Sequence, residues 1–112
     1  ALPRGAVKGM AHITGGGITG NLARVLPQGC RAVLRAGSWS VPGIFALLQR
    51  LGDVAADEMY RTFNMGVGYT LVVSPRRRDA VLAALTAQGE KPVVVGSIEK
   101  RSRPGDAAVL IA

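Results

Sequence analysis

Three consecutive glycines, Gly15–Gly17, constrain the fold of this chain more than any other feature of its sequence. They follow a β-rich run at residues 6–13 and precede residues 18–26, where apolar side chains recur at helical spacing. Because glycine lacks a Cβ, the backbone can turn there through conformations that other residues adopt only with strain. The sequence therefore predicts a strand that leads into a glycine turn and then into a short helix.

The rest of the chain alternates between predicted strands and predicted helices. The expected strands are residues 31–36, 67–73 as a buried central strand, 92–98, and 107–111 as an edge strand that completes a hairpin after a turn over 103–106. The expected helices are one opened by Ser40 and Pro42 and stopped at Gly52, one over 55–62, and one opened by Ser74 and Pro75 and stopped at Gly89. A chain of 112 residues has room for one domain, and this alternation predicts an α/β (α+β) domain with a mixed sheet.

Positive charge is in excess, with 14 Lys and Arg against 7 Asp and Glu and a formal net charge of +7. Three interpretations remain open at this point: a basic solvated surface, an anionic small ligand and nucleic acid. Single-strand binding uses aromatic platforms among basic residues. The two basic runs, residues 76–78 and 100–103, contain no aromatic residue, which argues against specific nucleic-acid binding.

One cysteine and one histidine limit the chemistry that the chain can carry. Cys30 has no partner for an internal disulfide, and Cys30 with His12 falls short of a structural zinc site. Any Ser-His-Asp triad would have to use His12. Since the sequence has neither an apolar run of membrane-spanning length nor a secretory signal, a cytoplasmic protein is expected. It does not start with Met, so we expect a piece of a longer protein.

The glycine segment is the first candidate site. The N–H groups of Gly15, Gly16 and Gly17 could approach a phosphate or another oxyanion, with a helix N-terminus behind them. A tight turn that needs positive φ explains the same glycines equally well. The polar neighbours His12, Thr14 and Asn21 could complete the site, although Thr14 and Asn21 could equally cap the helix. His12 is a weak catalytic candidate because a lone histidine is more often structural, and Thr19 is better explained as a helix cap.

Residues 59–68 form the second candidate site, because Thr62 and Asn64 interrupt an apolar run between a helix and a strand. One interpretation has Asn64 and Arg61 facing a ligand. The other is a plain connection in which the neighbouring apolar side chains fill the core. The spacing alone favours the plain connection.

These motifs resemble a known family. Residues 9–22 read Gly-Met-Ala-His-Ile-Thr-Gly-Gly-Gly-Ile-Thr-Gly-Asn-Leu, residues 24–27 read Arg-Val-Leu-Pro, and residues 58–68 read Glu-Met-Tyr-Arg-Thr-Phe-Asn-Met-Gly-Val-Gly. Together they resemble the C-terminal domain of the aminoimidazole ribonucleotide synthetases, also called phosphoribosylformylglycinamidine cyclo-ligases. The segment with Trp39, Pro42, Ile44-Phe45 and Leu48-Gln49 is similar in order and spacing. The departures are Ala23, where many members have Pro, and Cys30 and Arg31 in a variable loop.

The resemblance implies a three-layer α/β/α domain with a mixed sheet, truncated at its N-terminus. Residues 1–112 would be the larger part of the C-terminal domain of a two-domain enzyme, which closes the active-site cleft. The N-terminal domain, absent here, would bind most of the ATP and Mg²⁺ and form a homodimer, so no cofactor is expected in this chain. No specific nucleic-acid partner and no membrane partner are expected.

The same resemblance implies the reaction. ATP would phosphorylate the amide oxygen of formylglycinamidine ribonucleotide, the amidine nitrogen would attack, and ring closure would give aminoimidazole ribonucleotide, ADP and phosphate in purine biosynthesis. This chain alone is expected to be inactive. The alternatives are related enzymes, namely selenophosphate synthetase, thiamin-monophosphate kinase or formylglycinamidine ribonucleotide synthetase, or a stand-alone basic anion-binding module. The Arg61–Gly66 run favours the cyclo-ligase.

Overall fold

The computed structural model describes residues 2, 4–103 and 105–112 of the chain. In these residues the strands and helices alternate as the sequence predicts. The strands are β1 (Val7–His12), β2 (Cys30–Leu34), β3 (Tyr69–Val73), β4 (Gly96–Lys100) and β5 (Val109–Ile111). The helices are α1 (Gly17–Ala23), α2 (Gly43–Gly52), α3 (Ala56–Thr62) and α4 (Arg78–Ala87), the last preceded by a 3-10 turn over Pro75–Arg77.

The described strands form two sheets, which confirms the α/β class with a mixed sheet. In the first, β1 pairs antiparallel with β3, with His12 opposite Tyr69 and a register shift between Val7 and Gly9. In the second, β2 lies in the centre, antiparallel to β4 and parallel to β5. The arrangement in three layers stays a prediction.

Three predictions about the strands are wrong. Residues 67–73 do not form a buried central strand, because β3 pairs only with β1 among the described strands and Tyr69 is 56% exposed. Strand β4 starts at Gly96 rather than at residue 92. Strands β4 and β5 form no hairpin, because β2 lies between them and the chain crosses it. The turn predicted over 103–106 includes Pro104, which lies outside the described residues.

The helix ends also differ from prediction in detail. Pro42, not Ser40, is the residue before α2, and no side chain caps that helix end. The left-handed residue that ends α2 is Asp53, with φ of 48°, whereas Gly52 is still helical. Asp57 and Glu58 lie in the first turn of α3, where the helix dipole favours acidic side chains. Gly89, with φ of 87°, follows α4 as expected.

Helix α1 holds the core together because it packs against both sheets and against α3. Ile18 of α1 and Met59 of α3 are fully buried where the two helices meet. The cluster of buried residues around them comprises Ala11, Ile13, Leu22, Ala32, Leu34, Trp39, Met65 and Val109. The core is therefore small and is centred on the helix that follows the three glycines.

The apolar face of α2 is exposed. Ile44, Leu47, Leu48 and Leu51 share one side of the helix, as the sequence predicts, but they are 53%, 39%, 37% and 74% exposed. A stripe of this kind usually packs on another surface. Helix α4 is different, since Val81 is buried. None of the helices in the described part of the chain is both long and apolar enough to cross a membrane.

Candidate glycine-loop site

The three glycines form the turn between β1 and α1. Gly16 and Gly17 have φ of 99° and 65°, in the left-handed region that favours glycine. The N–H of Gly17 donates to the carbonyl oxygen of Thr14 at 3.0 Å, and the N–H of Gly20 donates to that of Gly16 at 3.1 Å. These two N–H groups are therefore already bonded to backbone carbonyl groups of the same segment.

Gly17 has a packing role. It is buried, and a Cβ added to it would overlap the carbonyl oxygen of Tyr60 and lie 2.8 Å from the carbonyl carbon of Arg61. Real Cβ atoms do not approach backbone so closely, so only glycine lets α1 come this near to α3. Thr19 adds a bond from its hydroxyl to the carbonyl oxygen of Tyr60 at 3.4 Å. The prediction that Thr19 caps α1 is wrong, since Gly16 is the residue before the helix and no side chain caps it.

Gly15 and Gly16 differ from Gly17 because both are exposed to solvent. A Cβ on Gly15 would have no heavy atom within 4 Å, and one on Gly16 would meet only the side-chain nitrogen of Asn21 at 3.7 Å. Gly15 also has no positive φ. Among the three glycines, these two are therefore open to a ligand.

Asn21 organises the loop from inside. Its side chain is 6% exposed, and its Nδ2 donates to the carbonyl oxygens of Thr14, Gly15 and Gly17 at 3.1, 3.1 and 2.8 Å. Its Oδ1 accepts from the Thr14 hydroxyl at 3.4 Å. The amide predicted to contact a ligand is thus enclosed by the loop and fixes its shape.

His12 and Thr14 are both exposed, although the Thr14 hydroxyl is bonded to Asn21 inside the loop. His12 stacks on Tyr69, the residue opposite it on β3, with ring centroids 5.9 Å apart and an interplanar angle of 24°. Both residues are exposed, so the pair forms a small aromatic surface at the end of β1, just before the loop. Sequence reasoning did not find Tyr69, because strand pairing alone brings it next to His12.

Asn64 stabilises the turn in which it lies. Its Oδ1 accepts from the N–H of Gly66 at 2.8 Å, while Met65 between them has φ of 54° and Gly66 has φ of 93°. Such a bond is the usual way in which asparagine stabilises a turn. Arg61, the other residue considered there, lies 3.6 Å from the carboxylate of Glu58. These contacts match the plain connection that the spacing favours.

The segments that carry the resemblance meet in space. The N–H of Ile13 donates to the carbonyl oxygen of Gly68 at 2.9 Å, which ties the start of the glycine loop to the 64–68 turn. The buried indole of Trp39 donates to the carbonyl oxygen of Met65 at 3.0 Å, on the other side of that turn. Gly66 packs against Pro42 so closely that a Cβ added to Gly66 would lie 2.6 Å from the proline Cδ. Three segments far apart in sequence thus form one unit around the loop.

No described acidic, histidine and cysteine side chains form a group of three or more that could hold a metal ion. Two cavities among the described residues lie away from the glycine loop. One, of about 280 Å³, is lined by Leu2, Ala84, Leu85 and Gln88, and the other, of about 400 Å³, by Gln28, Gly29, Arg101, Ser102 and Arg103. Gly15 and Gly16 themselves are exposed on an open surface.

Fold and site together define a mixed α/β domain built around a glycine-rich turn between a strand and a helix, with a second turn packed beside it. Residues 1–107 match the family model described as AIR synthase related protein, C-terminal domain. The chain belongs to this family.

Several similar proteins are named phosphoribosylformylglycinamidine cyclo-ligase. A phosphoribosylformylglycinamidine cyclo-ligase of Desulfotalea psychrophila is 46% identical over 105 residues, which cover 94% of this chain and 30% of the relative. Those of Thermoanaerobacter pseudethanolicus and Desulfitobacterium hafniense are each 50% identical, over 88% and 86% of this chain and 29% and 28% of the relatives. The chain thus spans about 30% of the length of the curated relatives it matches.

Proposed function

We propose that this chain is part of a phosphoribosylformylglycinamidine cyclo-ligase, which closes the imidazole ring of formylglycinamidine ribonucleotide with ATP in purine biosynthesis. The single observation that carries the proposal is the identity of 46–50% to proteins of that name over most of the chain. None of these relatives is named as a selenophosphate synthetase or a thiamin-monophosphate kinase, and this favours the cyclo-ligase over the two kinase-like alternatives. A cytoplasmic location is part of the same proposal.

Residues 1–112 would form the larger part of a C-terminal domain that works with an N-terminal domain of the same protein, within a homodimer. Two observations support this arrangement. The relatives are about three times as long as the chain, which covers 30% of one of them. The exposed apolar face of α2 and the exposed outer face of β1–β3, where Met10 is 54% exposed, are surfaces that a neighbouring domain would cover.

The exposed part of the glycine loop would face the ribose phosphate of the substrate. Gly15 and Gly16 leave the backbone open to close approach, and Asn21 holds the loop in one shape through three carbonyl groups. His12 and Thr14 are exposed immediately before the loop and would hydrogen-bond the ligand. A preorganised loop of this kind binds an oxyanion without a large ordering cost.

The described residues hold no group of three or more His, Cys, Asp and Glu that could bind a metal ion such as Mg²⁺. We propose that ATP and Mg²⁺ bind mainly to the N-terminal domain, and we assign no step of the reaction to them on this chain.

The test of the function uses the full-length parent protein. We expect it to convert formylglycinamidine ribonucleotide and ATP to aminoimidazole ribonucleotide, ADP and phosphate, and we expect the 112-residue chain alone to form no ring product. A parent that leaves this substrate unchanged but phosphorylates selenide or thiamin monophosphate would contradict the proposal. Ring closure by the isolated chain would contradict the proposed division between two domains.

The test of the loop compares two glycines in that parent. Gly15→Val should raise KM for formylglycinamidine ribonucleotide without loss of folding, because its side chain would enter the space where the ligand approaches and would meet no protein atom within 4 Å. Gly105→Val, at an exposed position where an added Cβ also meets no heavy atom within 4 Å, is the matched control and should leave KM unchanged. Equal KM values in the two variants would show that the loop does not face the substrate.

A further inference from the structure

A cavity lined by two arginines lies at the far end of α1 from the glycine loop. A shallow cavity of about 400 Å³ is lined by Gln28, Gly29, Arg101, Ser102 and Arg103. Helix α1 lies between Gly16 and the segment that contains Gln28 and Gly29, and its seven residues alone span about 10 Å. The cavity is therefore separate from the loop discussed above.

The backbone around this cavity is fixed. The N–H of Arg101 donates to the carbonyl oxygen of Gly29 at 2.8 Å, directly beyond the pairing of Cys30 with Lys100. The N–H of Arg103 donates to Oδ2 of Asp106 at 3.0 Å, and the N–H of Asp106 donates back to the carbonyl oxygen of Arg103 at 3.1 Å. The backbone N–H groups of both arginines are thus hydrogen-bonded.

One carboxylate lies beside the two arginines, that of Asp106 at the backbone N–H of Arg103. The nearby carboxylate of Glu99 lies 3.4 Å from Nη2 of Arg31, its partner across the strands. Among the described residues, neither Arg101 nor Arg103 has a carboxylate within salt-bridge distance. The Nε of Arg101 is also buried without an acceptor in the described part of the chain. A buried donor without an acceptor costs about 1–3 kcal/mol. Because this atom is shielded from solvent, a movement of the Arg101 side chain that brought it to a ligand would remove that cost.

We propose that this cavity binds a phosphoryl oxyanion, either inorganic phosphate or the phosphate group of a small monoester. The residues that line it carry two guanidinium groups, a hydroxyl and a carboxamide, each of which can donate hydrogen bonds. Arginine binds phosphate through paired N–H groups as well as by charge, which suits a tetrahedral anion. The proposal is independent of the function proposed for the glycine loop.

The test is a titration of the full chain followed by ¹H–¹⁵N chemical shifts, with inorganic phosphate, ribose 5-phosphate and sodium chloride at equal ionic strength. We expect phosphate to shift the amides of Gly29 and Ser102 with a dissociation constant near or below about 1 mM. Sodium chloride should leave them unchanged. If ribose 5-phosphate binds more tightly than phosphate, the natural ligand is a monoester, and if it binds more weakly, the ligand is the free anion.

The double variant Arg101→Gln, Arg103→Gln should raise that dissociation constant at least about tenfold, because it removes both charges and keeps polar side chains. The control is Arg76→Gln, Arg77→Gln, which removes the same charge from exposed residues elsewhere and should leave binding unchanged. Three results would each overturn the proposal. The first is equal weakening of binding in both variants, and the second is equal chemical-shift changes in sodium chloride. The third is binding of a long polyanion such as heparin without binding of phosphate. Unchanged shifts outside the cavity in the double variant would verify that it is folded.

Discussion

The side-chain amide of Asn21 donates to the carbonyl oxygen of Gly17 at 2.8 Å, four residues before it in the chain. The same nitrogen also reaches the carbonyl oxygens of Thr14 and Gly15. One buried side chain of α1 therefore holds two carbonyl groups of the loop that precedes this helix and one carbonyl group at the first residue of the helix.

Replacement of Asn21 is expected to destabilise the fold through the loop. Asn21→Ala should lower the free energy of unfolding by about 2–3 kcal/mol, because it removes three hydrogen bonds of about 1 kcal/mol each, one of them buried. Chemical denaturation measures this change. Asn64→Ala is the matched control, since its bond to Gly66 is exposed, and it should cost about 1 kcal/mol or less. Equal losses in the two variants would show that the three carbonyl contacts of Asn21 add nothing.

Two neighbouring glycines are expected to respond differently to the same change. Gly17→Ala should cost at least about 3 kcal/mol, because its Cβ would overlap α3 and its φ is positive. Gly15→Ala should change stability by no more than about 0.5 kcal/mol, because nothing lies within 4 Å of the new Cβ. Thermal and chemical unfolding of the two variants provide the comparison. A stable Gly17→Ala variant would contradict the close approach of α1 to α3.

The glycine triplet shows how far the sequence can predict this site. Strand, turn and helix follow from β-rich residues, glycines and helical spacing, and all three are present. The sequence does not predict that Gly17 is needed for packing while Gly15 and Gly16 are exposed. This difference depends on where α3 packs, and α3 lies about forty residues further along the chain. The same limit explains Asn21: a sequence shows a polar residue near a loop, but not whether it faces outwards or inwards.

The sheets were predicted less well, for a related reason. Apolar, β-branched residues at 69–73 indicate a strand, but the number of partners it has depends on the rest of the fold. The strands at 96–100 and 109–111 flank a short turn, which favours a hairpin, whereas β2 lies between them because its buried Ala32 and Leu34 face the core. Local pattern therefore located the strands but did not determine their order.

The buried indole of Trp39 is expected to stabilise the turn that contains Met65. Trp39→Phe removes the N–H that donates to the carbonyl oxygen of Met65 at 3.0 Å and keeps an aromatic ring in the core. The loss should be about 1–3 kcal/mol, because the carbonyl group would lose its donor in a buried position. Urea denaturation followed by far-UV circular dichroism measures it. Phe45→Leu, which changes a half-buried ring without such a bond, should cost less, and the reverse order would contradict this role.

The exposed apolar face of α2 is expected to make the isolated chain self-associate at high concentration. Leu51 lies on that face and is 74% exposed. Leu51→Lys should lower the average mass measured by light scattering, since a charge would oppose burial of the face. Ala46→Lys is the matched control, because it adds the same charge on the opposite side of the same helix and should leave the mass unchanged. Both variants should keep the stability of the parent chain within about 0.5 kcal/mol, as expected for exposed positions. A strictly monomeric parent chain at the same concentration would show that the face does not associate, and an equal effect of the two lysines would show that net charge alone controls association.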